Sequence, residues 1–236
     1  MTQDFSGWDL PEQTGDTPAT DTEWVLPAAA PVDNPVVRTG PSGMVLGEGN
    51  KGPVTVRLFR SQPTRVLLAV PQYVTWLLTF RAISLGAHVS IFANDPASWQ
   101  SLVDRITACG GTAELLGKDS VAPGAGRPYR PSLIVDDADW YDGVQEQLGP
   151  WQAMLTCVDA AQSGSVFALR SCDLALVSPV DGRTSDNLRR AYALNQAQLR
   201  TVTDLSDSEV ALATPRRLLR LALPPTQTEY QLLFGG

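Results

Sequence analysis

The sequence predicts an α/β fold: a Rossmann-like, mainly parallel sheet with flanking helices and an antiparallel hairpin at each end. Residues 65–70 form a nearly unbroken apolar run, as in a strand buried on both faces of a parallel sheet. Pro71 follows, where proline suits the first position of a helix, and apolar residues then recur at three- and four-residue steps as far as Leu85. Gly86 favours a helix end, and residues 89–93 resume a strand pattern, which completes a strand–helix–strand unit.

Composition limits the possible functions and partners. The 236 residues are 43% hydrophobic, enough for a sizeable core, and 18 basic against 25 acidic residues give a net charge of -7. We therefore expect no nucleic-acid partner and no polybasic membrane surface, since both need clustered positive charge. The sequence has no signal peptide and no apolar run of about 18 residues, which predicts a cytoplasmic protein with no membrane segment of its own.

Domain organisation follows from the same patterns. Residues 1–39 lack hydrophobic periodicity and are rich in Asp, Thr, Pro and Ala, so we expect a disordered acidic, proline-rich tail. Residues 40–236 are predicted to form a single α/β domain. Its cysteines, Cys109, Cys157 and Cys172, form no CxxC pair, so we expect them to be buried thiols without a disulfide or a zinc ion.

A β-hairpin opens the predicted domain at residues 43–60. Residues 44–46 and the alternating Val54, Val56 and Leu58 flank a glycine-rich turn. The letters GEGNKG fit a phosphate-loop pattern, but a strand follows them where a phosphate loop needs a helix. The pattern therefore favours a hairpin over a nucleotide site.

The middle of the chain alternates between helices and strands. Asp95 is placed to cap a helix whose first position is Pro96, and that helix has an apolar face at Trp99, Leu102, Val103 and Ile106. Strands are predicted at residues 113–116, 132–135, 151–158 and 174–180, with a short helical turn at 165–170.

The last part of the chain is predicted to contain two helices and a second hairpin. Thr184 or Ser185 is expected to cap a helix that ends at Leu194, and a second helical piece spans residues 196–205. Strands at residues 209–213 and 218–223 form the terminal antiparallel hairpin, and a short tail follows Pro224 and Pro225.

A dinucleotide site would lie at the first strand–helix turn, residues 69–73. This turn has no glycine, and Pro71 removes one amide that could face a phosphate. Asp95 could bind a ribose, but its role as a helix cap explains it without a ligand. We therefore predict no cofactor and leave the cofactor-binding residues unassigned.

An acidic segment follows the fourth predicted strand. Asp136 and Asp137 after an apolar strand resemble a Walker B motif without its phosphate loop, and Asp137 and Asp139 form a DxD pair. Carboxylates in this pattern suit magnesium or manganese, as in metal-dependent transferases that bind sugar nucleotides. The alternative is that these aspartates lie in a solvated loop or cap a helix, and the sequence does not decide between this role and metal binding.

Other candidate chemistry is less specific. His88, the only histidine, begins a strand rather than ending one, and no GxSxG elbow is present, so no catalytic residue is assigned. Arginines concentrate late in an acidic chain and could contact an acidic partner or form an ordinary solvated surface; they are Arg183, Arg189, Arg190, Arg200, Arg216, Arg217 and Arg220.

Several segments together resemble the cytosolic domain of EccE, a component of actinobacterial type VII (ESX) secretion systems. The likeness covers roughly residues 40–233 and is strongest at TRVLLAVPQYVTWLLTFRAISLGAHVSIFANDPASW. It includes SLIVDDADW, PWQAMLTCVD and LPPTQTEYQLL. Its strongest stretch is carried by Arg81, Ala82, Gly86, Ala87 and Trp99. Members of the secretion complex carry amino-terminal transmembrane helices, which this sequence does not have.

The resemblance implies a non-enzymatic scaffold subunit in, or associated with, a type VII secretion complex. Its partners would be other subunits of that complex, which would hold the chain at the cytoplasmic face of the membrane. The alternative from the residues is an enzyme: a metal-dependent, sugar-nucleotide-binding transferase that uses Asp137 and Asp139. The scaffold hypothesis predicts that the chain is not an enzyme.

Overall fold

The structure is a computed structural model that describes residues 43–235. The strands of this part are β1 (Met44–Gly49), β2 (Gly52–Val56), β3 (Thr64–Ala69), β4 (His88–Ala93), β5 (Thr112–Leu116), β6 (Ser132–Asp137), β7 (Gln152–Cys157), β8 (Leu174–Val177), β9 (Glu209–Thr214) and β10 (Arg217–Ala222). Its helices are α1 (Gln72–Ile83), α2 (Pro96–Ala108), α3 (Ser165–Ser171), α4 (Gly182–Tyr192), α5 (Gln196–Thr203) and α6 (Gln227–Leu233).

The predicted fold class is confirmed by a single mixed sheet with helices packed against it. The strand order is β2-β1-β10-β9-β8-β3-β7-β6-β4-β5. The strands from β8 to β5 run parallel, and the remaining pairs are antiparallel. β3 and β4 are not neighbours, because β7 and β6 lie between them. The first strand–helix–strand unit therefore spans two later strands.

Both predicted hairpins are present, and they pair with each other. β1 pairs with β2, and β9 pairs with β10. β1 also lies antiparallel to β10, with Glu48 opposite Ala222 and Gly49 opposite Leu221. A side chain on Gly47 would overlap the Ala222 carbonyl, so this contact needs a glycine. The two ends of the described chain thus form one side of the sheet.

The hydrophobic core is divided between the two faces of the sheet. On one face, α1 and α2 bury their apolar stripes, and the predicted inner face of α2 is confirmed because Trp99, Leu102, Val103 and Ile106 are all buried. On the other face, Leu67 of β3 and Ala175 of β8 pack with buried residues of α3, α4 and α5. Successive side chains of a strand point to opposite faces of the sheet, so each central strand contributes apolar side chains to both parts of the core.

Several predicted boundaries are wrong. Asp181, rather than Thr184 or Ser185, caps α4, and its carboxylate accepts the Thr184 amide at 2.8 Å. α4 ends at Tyr192 because Ala193 takes a left-handed conformation with φ of 53°. Leu85 lies beyond the end of α1 and is exposed.

The predicted short tail after the prolines is a helix, α6. Thr226 and Glu229 form a reciprocal capping box at its start.

The three cysteines differ in burial. Cys109 is exposed, contrary to the expected burial, because it follows the last turn of α2. Cys172 is buried and Cys157 is partly buried. The predicted disordered tail, residues 1–39, lies outside the described residues.

One arginine fixes α6 and the first hairpin against α1. Arg81 makes two hydrogen bonds to the Glu229 carboxylate, at 2.7 and 2.9 Å, and also donates to the carbonyls of Leu46 at 2.6 Å and Pro224 at 3.1 Å. Both charged side chains are largely buried. Burial by itself would raise the pKa of Glu229, but hydrogen bonds from Arg81 and the Thr226 amide lower it below its ordinary value.

Replacement of Arg81 should destabilise the fold. We expect Arg81→Met to lower the free energy of unfolding by about 3 kcal/mol, because a buried carboxylate and two carbonyls lose their donor. Urea denaturation followed by circular dichroism measures the change. Arg200→Met is the control, since Arg200 is exposed and has no side-chain hydrogen bond or ion pair among residues 43–235. Equal stability of the two variants would contradict the proposed role of Arg81.

Candidate functional site

The candidate site lies at the carboxyl ends of the parallel strands. From β3 the chain passes through α1 towards β4, and from β7 it passes through α3 to β8 on the other side of β3. The strand order therefore reverses between β3 and β7, which is where ligands bind in open α/β sheets. A cavity of about 560 Å³ lies at this point, lined by Leu68, Val70, Asp137, Asp139, Cys157, Val158, Asp159, Gln162, Gly164, Ser165 and Ala168. We call it the switch-point cavity.

Asp137 is the best-fixed carboxylate of this cavity. It ends β6, and its Oδ2 accepts a hydrogen bond of 2.7 Å from the indole nitrogen of Trp99, which is completely buried in α2. Burial raises the pKa of Asp137, while the Trp99 hydrogen bond opposes that rise. Asp137 thus links the core side of α2 to the wall of the cavity.

Asp139 lines the same cavity but is exposed. Its amide donates to Asn94 Oδ1 at 2.9 Å, which ties the segment after β6 to the end of β4. The structure therefore brings the predicted metal pair, Asp137 and Asp139, to one cavity. Among residues 43–235, however, no group of three His, Cys, Asp or Glu side chains could hold a metal ion. The metal site stays a prediction.

Asp136 points away from the switch-point cavity, because successive side chains of a strand face opposite sides. It lies beside the cluster of Phe92, Ile134, Ala138 and Met154, and its carboxylate accepts the backbone amides of Ala138 and Gly143. Burial, with smaller contributions from nearby Asp137 and Asp142, raises its pKa from 3.8 to about 7. The two Walker B-like carboxylates therefore do not act together in one site.

The segment after β6 is held firmly on that side of the sheet. Arg65 donates to the carbonyls of Gly143, at 2.6 Å, and Glu146. The Tyr141 ring stacks on Phe92 with 3.9 Å between centroids, and its hydroxyl donates to Glu146 at 3.1 Å. These contacts shield the Asp136 carboxylate from water.

The β3–α1 turn does not fit the phosphates of a nucleotide. Only Val70 and Pro71 connect β3 to α1, and the turn has neither a glycine nor the Lys–Ser or Lys–Thr pair of a phosphate loop. Pro71 has no amide hydrogen, and its carbonyl accepts the Val74 amide at 2.9 Å. The turn therefore has no loop of free amides that could surround a phosphate.

The charge around the β3–α1 turn also disfavours a nucleotide. A second cavity of about 390 Å³ lies beside the turn and includes Pro71, Asp159 and Asp181 in its lining. Among residues 43–235, four carboxylates line the two cavities, those of Asp137, Asp139, Asp159 and Asp181, and no lysine or arginine does. A triphosphate would meet like charge here, whereas a cationic group would be attracted.

Two residues of the site were missed by the sequence reasoning. Cys157 lines the switch-point cavity, and burial raises the pKa of its thiol well above the ordinary value. Trp99 was predicted only as a core residue, and its bond to Asp137 joins positions far apart in the chain. The position of Cys157 at the end of an apolar strand was a usable signal; for the Trp99 contact the sequence offered none.

Other predicted candidates lie elsewhere. His88 begins β4, as predicted, and its Nε2 lies 3.0 Å from Glu114 Oε1, which also accepts from Ser90 at 2.8 Å. This arrangement joins β4 to the edge strand β5, at the opposite end of the strands from the cavity. Three of the seven predicted arginines lie on α4, one lies on α5 and three lie in the β9–β10 hairpin, and none of the seven lines the switch-point cavity.

Comparison with solved structures identifies the type of fold. VirB4 of Thermoanaerobacter pseudethanolicus aligns with a TM-score of 0.54 at 9% identity, covering 82% of this chain and 99% of that one. The genome packaging NTPase B204 from Sulfolobus turreted icosahedral virus 2, in complex with AMP, aligns with a TM-score of 0.44 at 8% identity, covering 68% and 97%. The pCW3 conjugation coupling protein TcpA, with ATPγS, aligns with a TM-score of 0.45 at 8% identity, covering 75% and 64%. The sequence matches no protein-family model and no curated protein.

These comparisons correct one expectation. The hypothesis that the chain is not an enzyme is contradicted by the fold that the chain shares with VirB4. The likeness to VirB4 shows a mixed α/β fold of the Rossmann-like or P-loop type.

None of the helices in residues 43–235 is long and apolar enough to cross a membrane.

The buried Asp136 should make stability depend on pH. Between pH 3.8 and about 7 the folded protein keeps a proton on this carboxyl that the unfolded chain has lost. The free energy of unfolding should therefore fall as the pH rises through this window, by up to about 4 kcal/mol. Urea denaturation at a series of pH values measures the slope. Asp136→Asn should flatten it, and Asp139→Asn, on an exposed carboxyl of the same segment, is the control. An unchanged slope in Asp136→Asn would show that other groups cause the effect.

Removal of the Trp99 hydrogen bond should raise the pKa of Asp137 further. We expect Trp99→Phe to have this effect because burial then acts on the carboxylate without its donor, and to lower the free energy of unfolding by about 1–3 kcal/mol. An NMR titration of the aspartate carboxyl carbons measures the pKa directly. Trp140→Phe is the control, since Trp140 packs edge-on against Phe92 and makes no hydrogen bond to Asp137. A pKa of Asp137 that is the same in both variants would contradict the assignment.

Proposed function

We propose that this chain is an NTPase-fold subunit of a protein-secretion complex, and that the complex is of the type VII (ESX) kind that its sequence resembles. The observation that carries the proposal is the fold shared with VirB4 over 82% of this chain and 99% of that one. ATPases of the VirB4 and TcpA type belong to secretion and conjugation systems. The fold comparison and the sequence resemblance thus support the same general role in transport.

The residues that carry the EccE resemblance have identifiable positions in the fold. Arg81 holds α1 to α6 and to the first hairpin, and Trp99 binds Asp137. Gly86 has a φ of 80°, a left-handed conformation that glycine adopts without strain. These are positions that determine the fold, so they support a relationship of architecture rather than of a particular reaction.

The site determines how the proposed subunit would work. Nucleotides are named for the packaging NTPase and for TcpA, but the β3–α1 turn of this chain lacks the cradle that their phosphates would need. We propose that the subunit also contacts other subunits of the complex at the cytoplasmic face of the membrane. The switch-point cavity, which three carboxylates line, favours a cationic group over a nucleotide.

Co-purification tests the proposed function. The tagged full-length chain should be expressed at its native level in its own cells, cross-linked, purified and analysed by mass spectrometry. We expect enrichment of a secretion ATPase and of a multi-span membrane subunit, relative to the same tagged chain in cells that lack the secretion genes.

The Arg81→Met variant supplies a second comparison, because it should loosen the fold and reduce the enrichment. If the folded chain recovers no secretion subunit from cells in which the apparatus is assembled, the proposed function is wrong.

A further inference from the structure

Helix α4 presents a charged stripe on its outer face. Arg183, Asp186, Arg189 and Arg190 are exposed, while the opposite side of the helix is buried against the sheet through residues such as Leu188 and Tyr192. The stripe carries three positive charges and one negative charge. It therefore has the opposite sign to the whole chain, whose net charge is -7.

A cleft lies between this stripe and the segment that follows β7. Its volume is about 470 Å³, and its lining includes Arg183, Arg190, Gln162 and Ser163. We call it the arginine cleft. Arg183 and Arg190 are seven residues apart, so they lie on the same face of α4 with their backbones about 10 Å apart.

The wall of the arginine cleft is fixed by buried hydrogen bonds. Asn187, at the base of the cleft, donates to the carbonyls of Ala160 at 2.9 Å and Gln162 at 3.0 Å. Its amide nitrogen also lies 3.2 Å from Ser165 Oγ, and Asn187 itself is buried. The distance between α4 and the opposite wall is therefore set before any partner binds, which reduces the ordering cost of association.

Further arginines gather at the carboxyl end of α4. Arg170 donates to the Arg190 carbonyl at 2.9 Å, and the Arg216 amide donates to the Tyr192 carbonyl at 2.8 Å. The partial negative charge at a helix carboxyl end favours cations there. Arg170 and Arg216 thus lie beside the carboxyl end of α4, outside the lining of the cleft.

The acidic residue of the stripe does not neutralise these arginines. Asp186 pairs with Arg189 at 3.1 Å and only loosely with Arg190 at 3.9 Å. Within residues 43–235, the Arg183 side chain makes no hydrogen bond and no ion pair within 4 Å, and its charge adds to the Thr184 hydrogen bonds in lowering the pKa of the nearby Asp181. The guanidinium groups at both ends of the cleft can therefore bind an incoming anion.

We propose that the arginine cleft binds an acidic segment of a partner protein, with carboxylates of that segment on Arg183 and Arg190. A guanidinium binds a carboxylate through two parallel hydrogen bonds, and Gln162 and Ser163 can donate to the backbone between them. This deepens the proposed function and rests on it only in taking a protein as the partner.

A protein partner is favoured over a nucleic acid by the two carboxylates of the cleft. Asp159 and Asp186 both line it, and a continuous row of phosphates could not avoid them. Carboxylates spaced along a peptide can meet the two arginines and leave the acidic positions facing neutral residues.

Binding of a synthetic acidic peptide tests the proposal on the full-length chain. The probe is a fluorescent peptide of about 12 residues that alternates Glu and Ser, measured by anisotropy at about 50 mM and about 200 mM salt. We expect saturable binding that weakens with salt and falls at least about tenfold in the double variant Arg183→Glu, Arg190→Glu. The control is Lys118→Glu, Arg127→Glu, which changes the net charge equally at exposed positions of the β5–β6 loop and should bind like the unchanged chain.

Three results would overturn the proposal. They are absence of peptide binding, equal loss in both double variants, and tighter binding of a DNA duplex of about 20 base pairs that is lost only in the α4 variant. If the α4 double variant does not fold, the single variants Arg183→Gln and Arg190→Gln provide the same comparison. Recovery of secretion subunits without peptide binding would reject the arginine cleft and keep the proposed function, whereas peptide binding without those subunits would do the opposite.

Discussion

The buried ion pair between Arg81 and Glu229 is the contact on which the closure of the fold depends. One guanidinium joins the end of α1 to the carbonyl of Leu46, to that of Pro224 and to the first turn of α6. α6 has seven residues, too few to be stable as an isolated helix, so its place in the fold comes from such contacts. Arg105 of α2 adds to them by donating to the Leu232 carbonyl at 2.8 Å.

This closure also has consequences for the candidate site. α1 begins at Gln72, directly after Pro71 and beside the switch-point cavity, and ends near Arg81. Because α1 is held at its far end and packed along its length, the short β3–α1 turn has little freedom to widen around a ligand. The two residues of the turn, Val70 and Pro71, include a proline and no glycine, a composition that suits packing.

The fold was largely predictable, since its strongest signals are local. Apolar runs identified the buried parallel strands, and Asp95 with Pro96 identified the start of α2. The joining of the two hairpins was not predictable, because β1 and β10 are far apart in the chain and their pairing depends on the completed sheet. The α6 helix was predictable and was missed: Thr226 and Glu229 have the spacing of a capping box, but the two preceding prolines favoured a tail.

For the candidate site, the sequence identified the acidic residues but not the face of the sheet on which each side chain lies. Asp137 and Asp139 meet at one cavity, as their positions after a strand suggested, while strand alternation sends Asp136 to the opposite face. The Trp99 bond could not be predicted, because it depends on how α2 crosses the end of β6. The expectation of a non-enzymatic chain failed for a different reason. It was drawn from the absence of catalytic motifs and from a family resemblance, and neither reveals which other proteins share the fold.

The distribution of charge connects the switch-point cavity with the arginine cleft. Asp159 and Gln162 line both, so a single segment after β7 has an acidic edge on one side and arginines on the other. Asp159 accepts the Ala161 amide at 3.0 Å, which holds this segment in a tight turn. An acidic partner segment on α4 would therefore touch the same backbone that encloses the cavity at the carboxyl ends of the strands. Asn187 holds that backbone from the α4 side through its hydrogen bonds to the Ala160 and Gln162 carbonyls, so the cleft and the cavity share one fixed wall.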